Sequence, residues 1–215
     1  MKNPLTIETI QGTLDWAYDK AVNSDIPGLD NARDMAQNYM NQEGELVDKV
    51  NSLIRWQNAK AGAAGFAAGL GGLPAMPVTL PANITSVLYI QIRMIAAIAH
   101  MGGHCLSDDR VKSLVFVCLC GNSANEALKQ AGVQAGQKLA LVAIKKVPGE
   151  MIKAVNKTVG FKLLTKFGAK GVINIGKMVP ILGGVIGGTF DSVTCNIIGN
   201  VARETFIESI ATEKA

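Results

Sequence analysis

Between Leu5 and Val22 the apolar residues Ile7, Ile10, Leu14, Ala17 and Ala21 recur at spacings of three and four, the stripe of an amphipathic helix. Pro27 and Gly28 close that unit. From Asn31 the period resumes through Ala32, Ala36, Tyr39, Leu46, Val50, Leu53 and Gln57, which predicts one long helix with Gly44 as its weak point. Its acidic and amide-rich opposite face suits solvent.

The polar pattern then stops. No charged residue occurs from Ala61 to Ile92, but Pro74, Pro77 and Pro81 interrupt the run, and Arg93 follows it. Prolines inside the stretch argue against one uniform membrane-spanning helix. They predict a small-residue helix to about Leu70, a proline turn, and a buried helix from about Asn83 to Ala99. Gly65 and Gly69 are spaced as GxxxG, as are Gly183 with Gly187 and Gly184 with Gly188. That spacing lets helix backbones touch, and it serves insertion or oligomerisation in lipid as well as tight crossing in a soluble core.

After MGGHCLSDDR, three helical runs follow: VKSLVFVCLC, GNSANEALKQAGV and QKLALVAIKKV, separated by Gly121, Gly132 and Gly136. The partly β-branched run from Leu114 to Leu119 could form a strand, but its helical neighbours favour a buried helix. The pattern as a whole predicts an all-α fold: a single helical domain over residues 1–215, with acidic N-terminal helices (1–58) against a Gly-rich and Lys-rich core region (59–210).

Composition sharpens this picture. Of the 215 residues, 48% are hydrophobic, 18% charged and only 5% aromatic, which excludes disorder and favours close backbone packing over large-ring packing. The four cysteines form no CxxC pair and read as core thiols. The N-terminus has no basic region followed by an apolar run, so no cleavable signal peptide is expected and the chain is expected to stay in the cytoplasm. The net charge of +4 is segregated. Residues 1–60 carry six basic against nine acidic side chains, whereas residues 129–177 carry ten lysines against one glutamate.

The Gly-rich run with prolines, then YIQIRMIAAIA, a glycine turn with an acidic pair, and SANEALKQAGV together resemble the EcsC family. KLLTKFGAK at 162–170, KMVPILGGVIGG at 177–188 and the closing ARETFIE extend the resemblance over roughly Asn51 to Glu208. The family takes its name from a component encoded beside a bacterial ABC transporter, and the resemblance transfers no catalytic residues. One departure is Asp191, where the resemblance leads to an asparagine; a carboxylate there needs a partner or water.

The strongest candidate chemistry is the basic block: Lys145, Lys146, Lys153, Lys157, Lys162, Lys166 and Lys170. Lys153 and Lys157, and Lys162, Lys166 and Lys170, are spaced at four, so each set can share a helix face. Apolar residues interleave with them, as in a helix lying on an anionic lipid surface. The same lysines could simply form a solvated face. With no arginine in the block and no aromatic platform, nucleic acid is not expected as a partner.

His100, His104 and Cys105, with Asp108 and Asp109, are the only metal-like cluster. The Met-Gly-Gly between the histidines is a poor helix interior, and the acidic pair reads as a helix N-cap and first-turn charge. Trp16 and Trp56 could mark a lipid interface but are expected to pack in the core or a groove. No phosphate-loop, GxSxG or HExxH motif occurs.

The leading expectation is therefore a non-enzymatic, peripheral membrane-associated factor without a cofactor. It would bind anionic lipid surfaces or an integral membrane partner such as a transporter, and could form a homo-oligomer. The alternative is a soluble protein-interaction module; a metal-dependent enzyme built on His100 and His104 is the remote one.

Overall fold

A computed structural model describes residues 6–23, 29–62, 82–133, 148–167 and 185–208. Within them the chain is all-α: helices α1 (Ile7–Asn23), α2 (Ala32–Met40), α3 (Leu46–Gly62), α4 (Ala82–Met101), α5 (Asp109–Cys118), α6 (Ala124–Gln130), α7 (Gly149–Phe167) and α8 (Val185–Arg203). A 3-10 turn (Gly121–Ser123) precedes α6, and a π-helical turn (Glu204–Glu208) follows α8. Gly65, Gly69, Pro27, Gly28, the three prolines, Gly136, Lys145, Lys146, Lys170, Gly183 and Gly184 lie outside the described residues, as does the QKLALVAIKKV run. Gly187 and Gly188 fall within α8.

The long helix predicted from Asn31 is two helices. Asn31 caps α2, its side-chain oxygen accepting from the backbone N–H of Arg33 (2.9 Å) and Asp34 (3.0 Å). At the other end the Asn41 N–H closes the last turn on Gln37 and Tyr39, and Gly44 then takes φ +105°. A positive-φ residue four positions after Met40 reverses the chain, so the periodicity continues through a break that only glycine makes inexpensive. The acidic pair behaves as expected: Asp108 caps α5, accepting from the Arg110 N–H at 2.8 Å, and Asp109 sits in its first turn.

The core is organised around α4. Every residue from Leu88 to Ala99 is buried, and α4 packs against α1, α2, α3, α5, α8 and the π-helical turn. A helix enclosed on all sides needs no polar face, which accounts for the absence of charge within α4 before Arg93. Arg93 itself is 2% exposed. Its Nη1 donates to the Asp30 carbonyl at 3.1 Å, and its guanidinium lies 5.7 Å from the Tyr89 ring centroid. Burial lowers its basicity, opposed by Tyr89 and Asp30.

α3 and α8 run side by side, joined by Asn58 donating to Asn196 (3.1 Å) and by Arg203 reaching Asn51 and Glu208. Ile54 lies against Gly199, where a Cβ would approach it to 2.9 Å. At the turn after α4 the backbones come closer still: a Cβ on Gly102 would stand 2.4 Å from the Phe206 carbonyl oxygen. The His104 ring completes this contact, with Nε2 3.1 Å from that oxygen and the ring 5.4 Å from the Phe206 ring.

Two glycine substitutions separate close approach from mere presence. Gly102→Ala forces a backbone oxygen to move and is expected to destabilise the fold by about 1–3 kcal/mol. Gly12→Ala, where a Cβ meets nothing within 4 Å inside α1, is expected to stabilise it by roughly 0.5–1 kcal/mol. Urea denaturation midpoints at constant slope check both.

Candidate functional site on the lysine-rich helix

α7 carries the described part of the basic block. Its buried stripe of Val155, Val159, Gly160 and Leu163 packs against α1, α5 and α6, so the helix lies at the edge of the bundle, on the far side of α1 and α5 from the α3–α8 pair. Gly160 sits under Ile7 and Gln11 of α1, where a Cβ would come within 3.1 Å of Ile7.

The lysines do not form one strip. Lys153 and Lys162 are nine residues apart, which turns the helix by about 180°. The pair Lys153 and Lys157 therefore lies on one flank of the buried stripe and the pair Lys162 and Lys166 on the other. Phe161, 58% exposed, stands on the outward side between them.

Each flank opens onto a groove. On the first, Lys153 and Lys157 face Glu8, Gln11 and Asp15 of α1 across a space of ≈ 370 Å³. The Glu8 carboxyl is held below its usual range by hydrogen bonds to its own backbone and Thr6, with Lys157 adding a smaller electrostatic pull. Asp15 is paired with Lys112 of α5 at 2.6 Å. The Lys112 ammonium also lies over the rings of Tyr18 (5.6 Å) and Phe116 (5.8 Å), which meet edge to face. Tyr18 donates to the Leu106 carbonyl at 2.8 Å, and burial raises its phenol. This cluster fixes α1 on α5 and so sets the width of the groove.

On the second flank Lys162 and Lys166 border a cleft of ≈ 420 Å³ with Cys120, Ser123, Gln130 and Phe161. Lys162 is already paired with Glu126 of α6 at 3.1 Å. Burial pushes the Cys120 thiol up to about 11, with Lys162 and Lys166 pulling weakly the other way. Cys118, fully enclosed beside Thr205, is pushed up to about 12.

The other candidates separate. His100 lies in the last turn of α4, whereas His104 follows Gly103 at φ +77° and turns toward Phe206, so the two imidazoles share no helix face. Among the described residues no three His, Cys, Asp or Glu side chains converge as a ligand set. Cys105 is exposed. Trp16 packs on the core with its ring 6.5 Å from Tyr89, as expected, but Trp56 is 57% exposed on α3 rather than packed in a core or groove. Sequence reasoning missed the opposite walls of the grooves, Glu8, Asp15, Lys112 and Ser113. The one local signal was Asn156, which falls between Lys153 and Lys157 at helical spacing.

Fold and site together define an all-α bundle with an enclosed apolar helix and a lysine-bearing helix at its margin. The profile of the EcsC protein family matches residues 5–207, and the chain belongs to that family. No curated protein and no solved structure matches it.

The thiols give a direct check of this geometry. At pH 8 a small thiol reagent should modify Cys105 rapidly and Cys120 slowly, whereas Cys118 and Cys195 should react only on denaturation. Because a raised pKa leaves little thiolate, Cys120 labelling should still be accelerating as pH rises through 10. Rapid modification of two or more thiols at pH 8 would contradict the burial described.

Proposed function

We propose that this protein is a non-enzymatic, peripheral membrane-associated factor that uses α7 to contact an anionic lipid surface or an integral membrane partner such as a transporter. The observation that carries the reading is Phe161: a large apolar side chain, more than half exposed, flanked along one peripheral helix by Lys157, Lys162 and Lys166. An aromatic anchor between hydrated ammonium groups is the arrangement of helices that lie in the headgroup plane. The single-sign charge of the surrounding segment adds long-range attraction. Lys162 is also engaged by Glu126 of α6, so part of its charge serves the fold.

Among the described residues one helix, α4, is long and apolar enough to cross a membrane, over Ile84–Met101, and 83% of that window is buried within the bundle. The proposed contact therefore leaves the fold intact and needs no rearrangement of α4. The soluble interaction module remains the second reading, favoured by exposed Trp56 on the acidic side of the chain.

Flotation with purified protein tests this. Wild type should float with anionic vesicles at low salt and be released as salt rises. Combining Phe161→Ser with Lys157→Glu and Lys166→Glu should reduce partitioning by about a hundredfold or more, at roughly 1 kcal/mol for each lysine and a further loss for the ring. A variant that floats like wild type removes α7 as the contact; a wild type that never floats leaves the soluble module.

A further inference from the structure

The turn between α2 and α3 carries an apolar edge that the bundle does not cover. The buried stripe of α3 runs through Val50, Leu53, Ile54 and Gln57, and one turn earlier the same helical spacing reaches Leu46 and Val47. There the core has ended. Leu46, Val47 and Met40 are 36%, 38% and 39% exposed, although Val50 is fully enclosed, and every residue from Asn41 to Asp48 faces solvent. Apolar side chains gathered in one short turn past the edge of a core mark a contact surface, unlike hydrophobic residues scattered singly.

Charge defines the partner that fits. Glu43, Glu45 and Asp48 interleave with these apolar residues. The basic residue of 40–49 is Lys49, and its Nζ donates to the Met40 carbonyl at 2.9 Å, closing the end of α2. The turn therefore presents carboxylates around apolar side chains, and its complement is a surface with ammonium groups around an apolar side chain. α7 has that pattern. Lys157 and Phe161 are one turn apart on its outward side, Lys166 lies further along, and its acidic residue, Glu150, is confined to the first turn. Within one molecule α7 is held by α1, α5 and α6, and α3 by α2, α4 and α8, so the two surfaces stay uncovered.

We propose that the α2–α3 turn docks α7 of a second copy of this chain. Phe161 of one molecule lies against Met40, Leu46 and Val47 of the next, with Lys157 and Lys166 opposite Glu43, Glu45 and Asp48. Two turns or two α7 helices would oppose charges of one sign, so the contact is heterologous. Each added copy leaves one turn and one α7 open, and association continues past the dimer unless a ring closes. The contact uses the α7 face assigned above to the membrane but does not rest on that assignment; a second copy and an anionic surface compete for Phe161.

Sedimentation velocity without lipid tests the contact. At low salt the wild type should associate as concentration rises, and about 0.5 M salt should weaken the association by about tenfold. Glu43→Lys with Glu45→Lys and Asp48→Lys reverses the turn; Lys157→Glu with Lys166→Glu reverses the helix. Each variant alone should associate at least about tenfold more weakly, because its opposed charges then share a sign. An equimolar mixture of the two should recover to within about threefold of wild type, since reversed turn meets reversed helix and native turn meets native helix. Val47→Ser should weaken association about threefold and leave its salt dependence unchanged. A wild type that stays monomeric to about 0.5 mM at low salt overturns the proposal. So does a mixture of variants, each with the wild-type denaturation midpoint, that associates no better than either alone. Association in a protein that does not float with vesicles keeps this contact and removes the membrane reading; flotation of a strictly monomeric protein does the reverse.

Discussion

The burial of Arg93 in the middle of α4 constrains the whole arrangement. A guanidinium removed from water costs several kcal/mol after relaxation, and truncating its support leaves that cost uncompensated. Here the support is the Asp30 carbonyl, the face of Tyr89 and the field of the Asp30 carboxylate. Meeting that demand brings the chain before α2 onto α4, and α2 with it. Because α4 is buried through Leu88–Ala99, the remaining helices must close around it, which leaves α7 no place against α4 and puts it on the outside of α1 and α5. The exposure of the lysine helix is thus a consequence of how the apolar helix is enclosed.

The periphery is held by a different kind of interaction. Asp15, Lys112, Tyr18 and Phe116 join α1 to α5 through one ion pair, two cation–ring contacts and an edge-to-face ring pair. The ion pair is partly solvated, so its Coulomb term is small. Its value lies in geometry: it fixes the wall against which α7 rests.

Much of the fold was legible because helical periodicity is a local signal. The stripe from Ile7 to Ala21, the cap at Asp108 and the buried helix beginning near Asn83 need only near neighbours in sequence to be recognised. The break at Gly44 was visible as a weak point yet was not resolved, since the apolar period runs on through it and only the left-handed backbone shows that the chain has turned. Trp56 was expected to pack because indole buries well, but the faces of α3 that meet α2, α4 and α8 are occupied by Val50, Leu53, Ile54 and Gln57, leaving the tryptophan outward.

The site was legible only by half. Lysine spacing identified which residues of α7 share a face, but nothing in it showed that the two sets lie on opposite flanks of a buried stripe, or what they oppose. Those walls come from α1 and α5, some 40 to 150 residues away in sequence. The distinction matters for mechanism. A continuous basic strip would respond to net surface charge alone, whereas two flanks with different carboxylate content should respond differently. Among the described residues, the flank bearing Lys162 and Lys166 meets Glu126, which is engaged by Lys162. The flank bearing Lys153 and Lys157 faces Glu8 and Asp15 of α1, and Asp15 is already paired with Lys112, so the short-range field there is mixed in sign. An anionic surface approaching Phe161 therefore meets different local fields on its two sides.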